Sequence, residues 1–303
     1  MTGKEEAGSQ PPIRQTAPGW PGRGSDAWAR ELGIPMLELH RSLTSTNGRL
    51  RVLAQQGAPP FSTVVADEQT SGRGREGRRW HSPRGGGLWF SVLLSLGSGG
   101  TVGVLPLAVG VAVAIAIERW SRGGVGLKWP NDLMIGHRKV GGVLCESAGD
   151  SAVVISDSTE HPTRLVAVGI GINLRRQISG LPEDLMGSAG FMEESAGQAV
   201  PEPELAREII AQLRRWAQPL PGSLAGGLRS EWESRDHLQG RRVRLDTGLV
   251  GRAVGVSSEG ALQVTASDGS TIPVRAGSVR LDEAGVSAAL YGVKVPGSSG
   301  DGP

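Results

Sequence analysis

"DEQTSGRGREGRRWHSPRGGGLWF", residues 67–90, decides how this chain is read. Gly72, Gly74 and Gly77 satisfy the G-x-G-x-x-G spacing of a dinucleotide loop. That loop needs a helix opening on its last glycine, because the helix N-terminus holds the pyrophosphate. Here the glycines lead to Pro83, to three consecutive glycines at Gly85–Gly87, and then to "LWFSVLLSL", which reads as a strand. No helix can start there. "STVVADEQ", ahead of the motif, also reads as a strand, so Arg73, Arg75, Arg78 and Arg79 sit on a glycine-rich loop between strands. Guanidinium forks suit carboxylate and phosphate oxygens, and glycines let such a loop close over a ligand. A solvated loop with incidental charge is the plainer alternative that this segment alone leaves open. An arginine-glycine tail for RNA fits poorly, since such tails are low-complexity and not set between apolar strands.

The bulk numbers bound the rest. With 303 residues, 38% hydrophobic and 20% charged, the chain is long enough for one sizeable domain plus a smaller one. A net charge of +2 gives no case for a polyanionic nucleic-acid partner. The single cysteine, Cys145, excludes an internal disulfide framework and fits a reducing cytoplasm. The first 26 residues hold no apolar core of signal-peptide length. The longest uncharged apolar run, Val102–Ile117, is shorter than the roughly 20 residues of a membrane span, so it reads as a buried helix of a soluble protein.

Residues 1–25 and 284–303 are rich in Gly, Pro and Ser and read as flexible tails. Between them, residues 26–237 alternate helical and strand-like patterns, an α+β domain. Ser45 or a neighbouring hydroxyl can N-cap a helix through Gln56 that Gly57 and Pro59-Pro60 end. From residue 238 to 283 the texture changes to short alternating strands with turns at Asp246–Gly248, Glu259-Gly260 and Asp268-Gly269, which suggests a small barrel.

Other clusters share the anion theme. "LKWPNDLMI" puts Lys128 at a strand end beside a proline-fixed turn carrying Asn131 and Asp132. Such a lysine is a common point charge for phosphate, although a surface lysine beside a structural turn is the plainer reading. "KVGGVL" and "VGIGINL" place Gly141, Gly142, Gly169 and Gly171 inside strands, where glycine marks a bulge or a close approach to a ligand. There is no G-x-x-x-x-G-K-[ST] motif, so any ATP is held without a P-loop. Cys145 follows an apolar strand without a nearby histidine and reads as a small buried hydrophobe. The five histidines show no metal spacing.

Taken together, "STN" at Ser45–Asn47, "DEQTSGRGREGRRW", "KWPND", "KVGGVL" and "GIGIN" resemble, in order, the motifs of the biotin protein ligases. The resemblance covers residues 37–175, and the segment after Leu238 resembles that family's C-terminal SH3-like domain. It implies a mixed-sheet catalytic domain of the biotin/lipoate ligase type followed by a small SH3-like β-barrel. It also implies activation of biotin by MgATP to biotinyl-5′-AMP and transfer to a lysine of the biotin carboxyl carrier domain of an acyl-CoA carboxylase. Carried over, Ser45, Thr46, Asn47 and Gln69 lie at the biotin ring, and Arg73, Gly74 and Arg75 close on its carboxylate and the phosphates. Lys128 bridges carboxylate and α-phosphate, so Lys128 and Arg75 are the catalytic pair, and Gly142 approaches the ureido ring. Trp80, Asn131 and Asn173 help hold the adenylate, while magnesium arrives with ATP and its protein ligands are unassigned. The recognisable site motifs end at Asn173, so the barrel is expected to assist catalysis or carrier docking without supplying the main ligand contacts. "RRQISGLPEDLMGSAGFMEES" stands where the family covers the adenine, without an aromatic residue assigned as its stacker. The 35 or so residues before the first expected strand are too few for a helix-turn-helix domain, so no nucleic-acid or membrane partner is expected. The rival readings are a lipoate or octanoate ligase, similar at "RRWHSPRGGG", and a non-catalytic biotin sensor.

Overall fold

Residues 20, 22–96, 100–149, 153–154, 163–176 and 181–282 are described by a computed structural model. Eight strands build the main sheet: β1 (Leu37–His40), β2 (Thr63–Ala66), β3 (Gly87–Leu96), β4 (Gly126–Lys128), β5 (Asp132–Ile135), β6 (Arg138–Ser147), β7 (Val153–Val154) and β8 (Thr163–Asn173). Their order is β1-β2-β3-β8-β6-β5-β4, with β7 beside β8. β1 and β2 run parallel and the other pairs antiparallel, so the sheet is mixed. The long apolar strands β3 and β8 pair at its centre, from Gly87 opposite Asn173 to Leu96 opposite Arg164.

Among the described residues seven helices flank the strands: α1 (Ser25–Leu32), α2 (Thr46–Gln55), α3 (Leu105–Glu118), α4 (Glu183–Met186), α5 (Met192–Ala196), α6 (Glu202–Trp216) and α7 (Gly226–Glu233). The Val102–Ile117 run becomes α3, apolar on nearly every side because it lies between the sheet and α6 and α7. No helix among the described residues is long and apolar enough to cross a membrane. Alternation sorts each strand. Phe90, Val143, Ile170 and Ile172 join α3 in the main core, whereas Leu93, Leu165 and Ala167 pack with Leu50 and Leu53 of α2 on the opposite face. Helix α2 starts where its sequence indicates: Ser45 accepts a 3.4 Å hydrogen bond from Gly48 N as N-cap.

Five shorter strands form a separate antiparallel sheet: β9 (Arg242–Leu245), β10 (Val250–Val256), β11 (Leu262–Thr265), β12 (Thr271–Val274) and β13 (Val279–Leu281), in the order β12-β11-β10-β9-β13. It is joined closely to the first sheet. Leu127 N donates to Arg235 O at 2.7 Å and His237 N to Leu127 O at 2.9 Å, so the connecting chain covers the free edge of β4. Trp129 Nε1 donates to Gly260 O at 3.0 Å, and Val243, Ala253 and Val264 belong to the same apolar core as α3.

The amino-terminal expectation needs correction. Trp20, assigned by composition to a flexible tail of residues 1–25, is fully buried and meets Trp28 edge-on with ring centroids 5.3 Å apart. One buried indole outweighs the glycine and proline around it, and α1 already begins at Ser25. Residues 1–19 and the expected tail 284–303 lie outside the described residues.

Candidate functional site

The sheet register assembles the motifs. Directly opposed residues face the same side of a sheet, and one transverse row reads Lys128, Asp132, Gly142, Gly171, Trp89. "KWPND", "KVGGVL" and "GIGIN", remote in sequence, therefore meet on one face. Two residues along, Leu144, Gly169 and Ser91 form the next row on that face. The glycines make a trough, and side chains fill it: an added Cβ at Gly171 would lie 2.6 Å from Trp80 Nε1, and one at Gly169 would lie 2.7 Å from Asn47 Oδ1. The close approach anticipated for these glycines is thus made by Trp80 and Asn47. Gly141 is filled from its own sheet, by Ile172 and Leu133.

Above the trough opens a cavity of about 440 Å³, within the usual range for small-molecule sites. Every site residue inferred from sequence lines it: Ser45, Thr46, Asn47, Gln69, Arg73, Gly74, Arg75, Trp80, Lys128, Asn131, Gly142 and Asn173. One end is a closed polar network. Gln69 Oε1 accepts from Thr46 N at 2.9 Å, and Gln69 Nε2 donates to Ser82 Oγ at 2.9 Å. Ser91 Oγ lies 2.7 Å from both Thr46 Oγ1 and Asn47 Oδ1, and Asn47 Nδ2 donates to Glu146 at 2.8 Å. Buried and mutually bonded, these groups hold fixed positions before any ligand enters.

The rest of the wall is cationic. Seven arginines and lysines line the cavity against one acid, Asp132, which favours a ligand bearing several anionic oxygens. The loop follows the predicted course, with only a single 3-10 turn at Arg75–Gly77 and no helix on the glycines. Most of its arginines already have partners. Arg73 pairs with Glu146 at 3.4 Å and Arg78 with Glu76 at 2.5 Å, while Arg79 donates to Thr70 O at 3.0 Å. Among the described residues, Arg75 makes no ion pair or side-chain hydrogen bond.

Lys128 also lacks an ion pair among the described residues. Burial, against the pull of Asp132 and with repulsion from Lys139, Arg280 and Arg78, holds its ammonium below the ordinary lysine value. Asp132 is already engaged, accepting from Lys139 Nζ at 2.5 Å. Lys139 was not singled out from sequence, yet its Nζ stands 5.1 Å from the centre of the Trp80 ring. Its position before "VGGVL" was the available signal, but only the pairing of β5 with β6 places it beside Asp132. Asn131 and Asn173 commit their amide donors to backbone: Asn131 to Val143 O at 2.7 Å, Asn173 to Lys139 O at 3.3 Å and Gly190 O at 3.1 Å. Asn173 thus spends both amide hydrogens on bracing the wall, and Asn131 one of its two. Trp80 Nε1 and His81 Nε2 are buried without partners among the described residues.

Two further segments complete the wall. Phe191, inside the stretch where no adenine stacker was assigned, lines the cavity with Leu181, Leu185 and Ala189. Gly277, Ser278 and Val279 of the second sheet line it too, so the wall is not built solely from residues before Asn173. Cys145 is pushed up to about 12 by burial and alternates away from Gly142 and Leu144 along β6, as expected of a structural cysteine. No group of three or more potential metal ligands occurs among the described residues.

Known proteins share this arrangement. A model of the biotin/lipoate A/B protein ligase family matches residues 39–156, and one of the biotin protein ligase C-terminal domain matches residues 239–282. The bifunctional ligase/repressor BirA of Bacillus subtilis is 31% identical over 234 residues, covering 76% of this chain and 69% of that protein. The biotin–[acetyl-CoA-carboxylase] ligase of Paracoccus denitrificans is 30% identical, over 72% of this chain and 89% of that protein. The structure of the Aquifex aeolicus biotin protein ligase in complex with biotin and ATP superposes with a TM-score of 0.66 at 27% identity, covering 82% of this chain and all of that one. With two relatives at 31% and 30% identity matched over 69% and 89% of their length, the chain belongs to the biotin protein ligases.

Proposed function

We propose that this chain uses MgATP to activate biotin as biotinyl-5′-AMP and then transfers the biotinyl group to a lysine of a biotin carboxyl carrier domain of an acyl-CoA carboxylase, in the cytoplasm. The observation that carries this reading is the row Lys128–Asp132–Gly142–Gly171, set beneath an arginine loop in a cavity with a closed polar end and a cationic end. Biotin is matched at one end by the Ser45–Asn47 and Gln69 network, with the Gly142 strand edge beside its ring. Its carboxylate then points to the cationic end.

In the first step a carboxylate oxygen attacks the α-phosphorus of ATP, forming the mixed anhydride as the bond to pyrophosphate breaks. Two anions must approach, and fixed cations in a water-poor cavity lower that cost. Lys128, Arg73 and Arg75 face that approach, and Lys139 adds a second ammonium. Trp80 separates the two ends, Phe191 offers an aromatic face to the purine, and Asn131 and Asn173 hold the backbone around it. Magnesium enters as MgATP, coordinated chiefly by phosphate oxygens. In the second step the carrier lysine amine attacks the acyl carbon and AMP leaves. We further read residues 26–237 as the catalytic domain and 238–283 as an SH3-like barrel, supported by the five short antiparallel strands and the bulge between Ala253 and Gly255.

ATP–pyrophosphate exchange with biotin, lipoate or octanoate tests the function. Exchange with biotin alone is expected. Exchange with lipoate or octanoate instead would move the chain to the lipoyl-type reaction, and no exchange with any acid would make it a sensor.

A further inference from the structure

Glu76 and Ser278 are 202 residues apart, yet Ser278 Oγ donates to Glu76 Oε2 at 2.9 Å. Arg78 pairs with the same carboxylate at 2.5 Å and also reaches Ser278 Oγ. We propose that Ser278 is a positioning residue for the arginine loop: it latches the loop to the C-terminal sheet through Glu76 and so sets Arg75 at the cavity. This inference rests on the reading of that loop as the one that receives the carboxylate and phosphates.

The two sides of the latch differ in stiffness. On the C-terminal side Ser278 is fixed. Its N–H donates to Asp246 Oδ2 at 3.0 Å, its carbonyl accepts from Asp246 N at 3.2 Å, and Gly277 before it turns at φ 111°. On the loop side the chain is a short hairpin closed by Gly74 N to Arg78 O at 2.7 Å and Trp80 N to Gly72 O at 2.9 Å, which leaves its exposed tip at Arg75–Gly77 held only locally. Glu76 nevertheless sits at φ 57°, ψ 34°, a left-handed conformation disfavoured for a residue with a Cβ. An exposed glutamate between glycines would leave that region unless its carboxylate were held elsewhere, and Ser278 and Arg78 hold it. The hydrogen bond from Ser278, followed by that from Arg78, also keeps the carboxyl below the usual glutamate range. The neighbouring Arg75 has no partner of its own among the described residues and lines the cavity. Anchoring Glu76 therefore removes conformations of the loop in which Arg75 is turned away, and the ligand no longer has to order the loop alone.

The test uses the full chain with Ser278→Ala, Ser278→Thr, Glu76→Ala and the Ser278→Ala/Glu76→Ala double variant. Three readouts apply: tryptic cleavage at the loop arginines without ligand, KM for biotin against kcat for pyrophosphate release, and the thermal melt. Losing one exposed hydrogen bond of ordinary strength, screened by solvent, corresponds to roughly a fivefold effect. Ser278→Ala should raise loop cleavage and KM by about that factor with kcat nearly unchanged, and Ser278→Thr, which keeps the hydroxyl, should restore both. The double variant should be no worse than either single one, because both remove the same contact. Wild-type cleavage and KM in Ser278→Ala would overturn the latch, as would strictly additive effects in the double variant. If Ser278→Ala fails to fold, Glu76→Ala and Ser278→Thr decide the same question. The cleavage arm needs no activity, so an inactive wild-type protein would count against the functional reading while leaving the latch to be judged separately.

Discussion

Replacing Lys128 by glutamine should suppress adenylate formation without weakening the fold, a combination of signs that follows from its surroundings. The side chain is half-buried on the site face, and Asp132, the acid directly opposite it, is taken by Lys139 Nζ at 2.5 Å. Burial is the largest influence on its ammonium, with Lys139, Arg280 and Arg78 adding repulsion and Asp132 pulling the other way. Folding therefore confines a charge that it does not neutralise. Glutamine removes that charge and keeps much of the length, so stability should stay within about 1 kcal/mol of the parent and shift, if at all, upward. Turnover should fall far more. Removing a fixed electrostatic donor from a developing transition state commonly costs on the order of 100–1000-fold, about 3–4 kcal/mol. The assay is pyrophosphate release at saturating biotin and ATP, paired with a thermal melt of the same preparation. Turnover within about threefold of the parent would show that the ammonium is not used in activation. A melt lowered in step with the activity would show a structural lysine instead.

The same depressed ammonium gives a pH signature. Below its folded-state value Lys128 is charged in both states and the burial penalty is fully present; as pH rises through that value the penalty is relieved, so this residue adds stability toward alkaline pH. Activity should move oppositely: kcat/KM for biotin should begin to fall below the ordinary lysine value of 10.5, and a profile flat to that point would refute it. Glu38 acts at the acid end. Burial raises it, but hydrogen bonds from Arg49 and His40 overcome this and hold it at about 2, so its contribution to docking α2 on β1 is present above the ordinary value of 4.5 and lost as pH falls toward 2. Glu38→Gln should flatten the acid limb of the melting curve. Gly171→Ala would place a Cβ 2.6 Å from Trp80 Nε1 and should displace the indole, lowering stability by roughly 1–3 kcal/mol and shifting tryptophan emission; an unchanged spectrum would argue against the packing. Hydrogen exchange across residues 70–79 should slow when biotin is added, and equal protection with and without it would contradict a loop that closes on ligand.

Much of this was local and therefore legible in the sequence. Ser45 caps α2 because a serine ahead of a helical stretch satisfies an orphan amide wherever it occurs, and Gly85–Gly87 with Pro83 deny a helix to the arginine motif through backbone sterics alone. The apolar run of α3 announces burial by having no polar face. What remained hidden was set by pairing between distant strands. The strand motifs name Lys128, Gly142 and Gly171, but only the register of β4, β5, β6 and β8 lines them up, and it brings the unnoticed Lys139 onto Asp132. The same holds for the partners of the loop: Glu146 brings a counter-charge to Arg73 from β6, and the Ser278 hydroxyl reaches Glu76 from the other sheet. A chain reports which groups can bind an anion through composition and spacing. Which of them are already neutralised depends on partners such as Glu146, on a strand remote in sequence from Arg73, and only tertiary packing brings the two within ion-pairing distance.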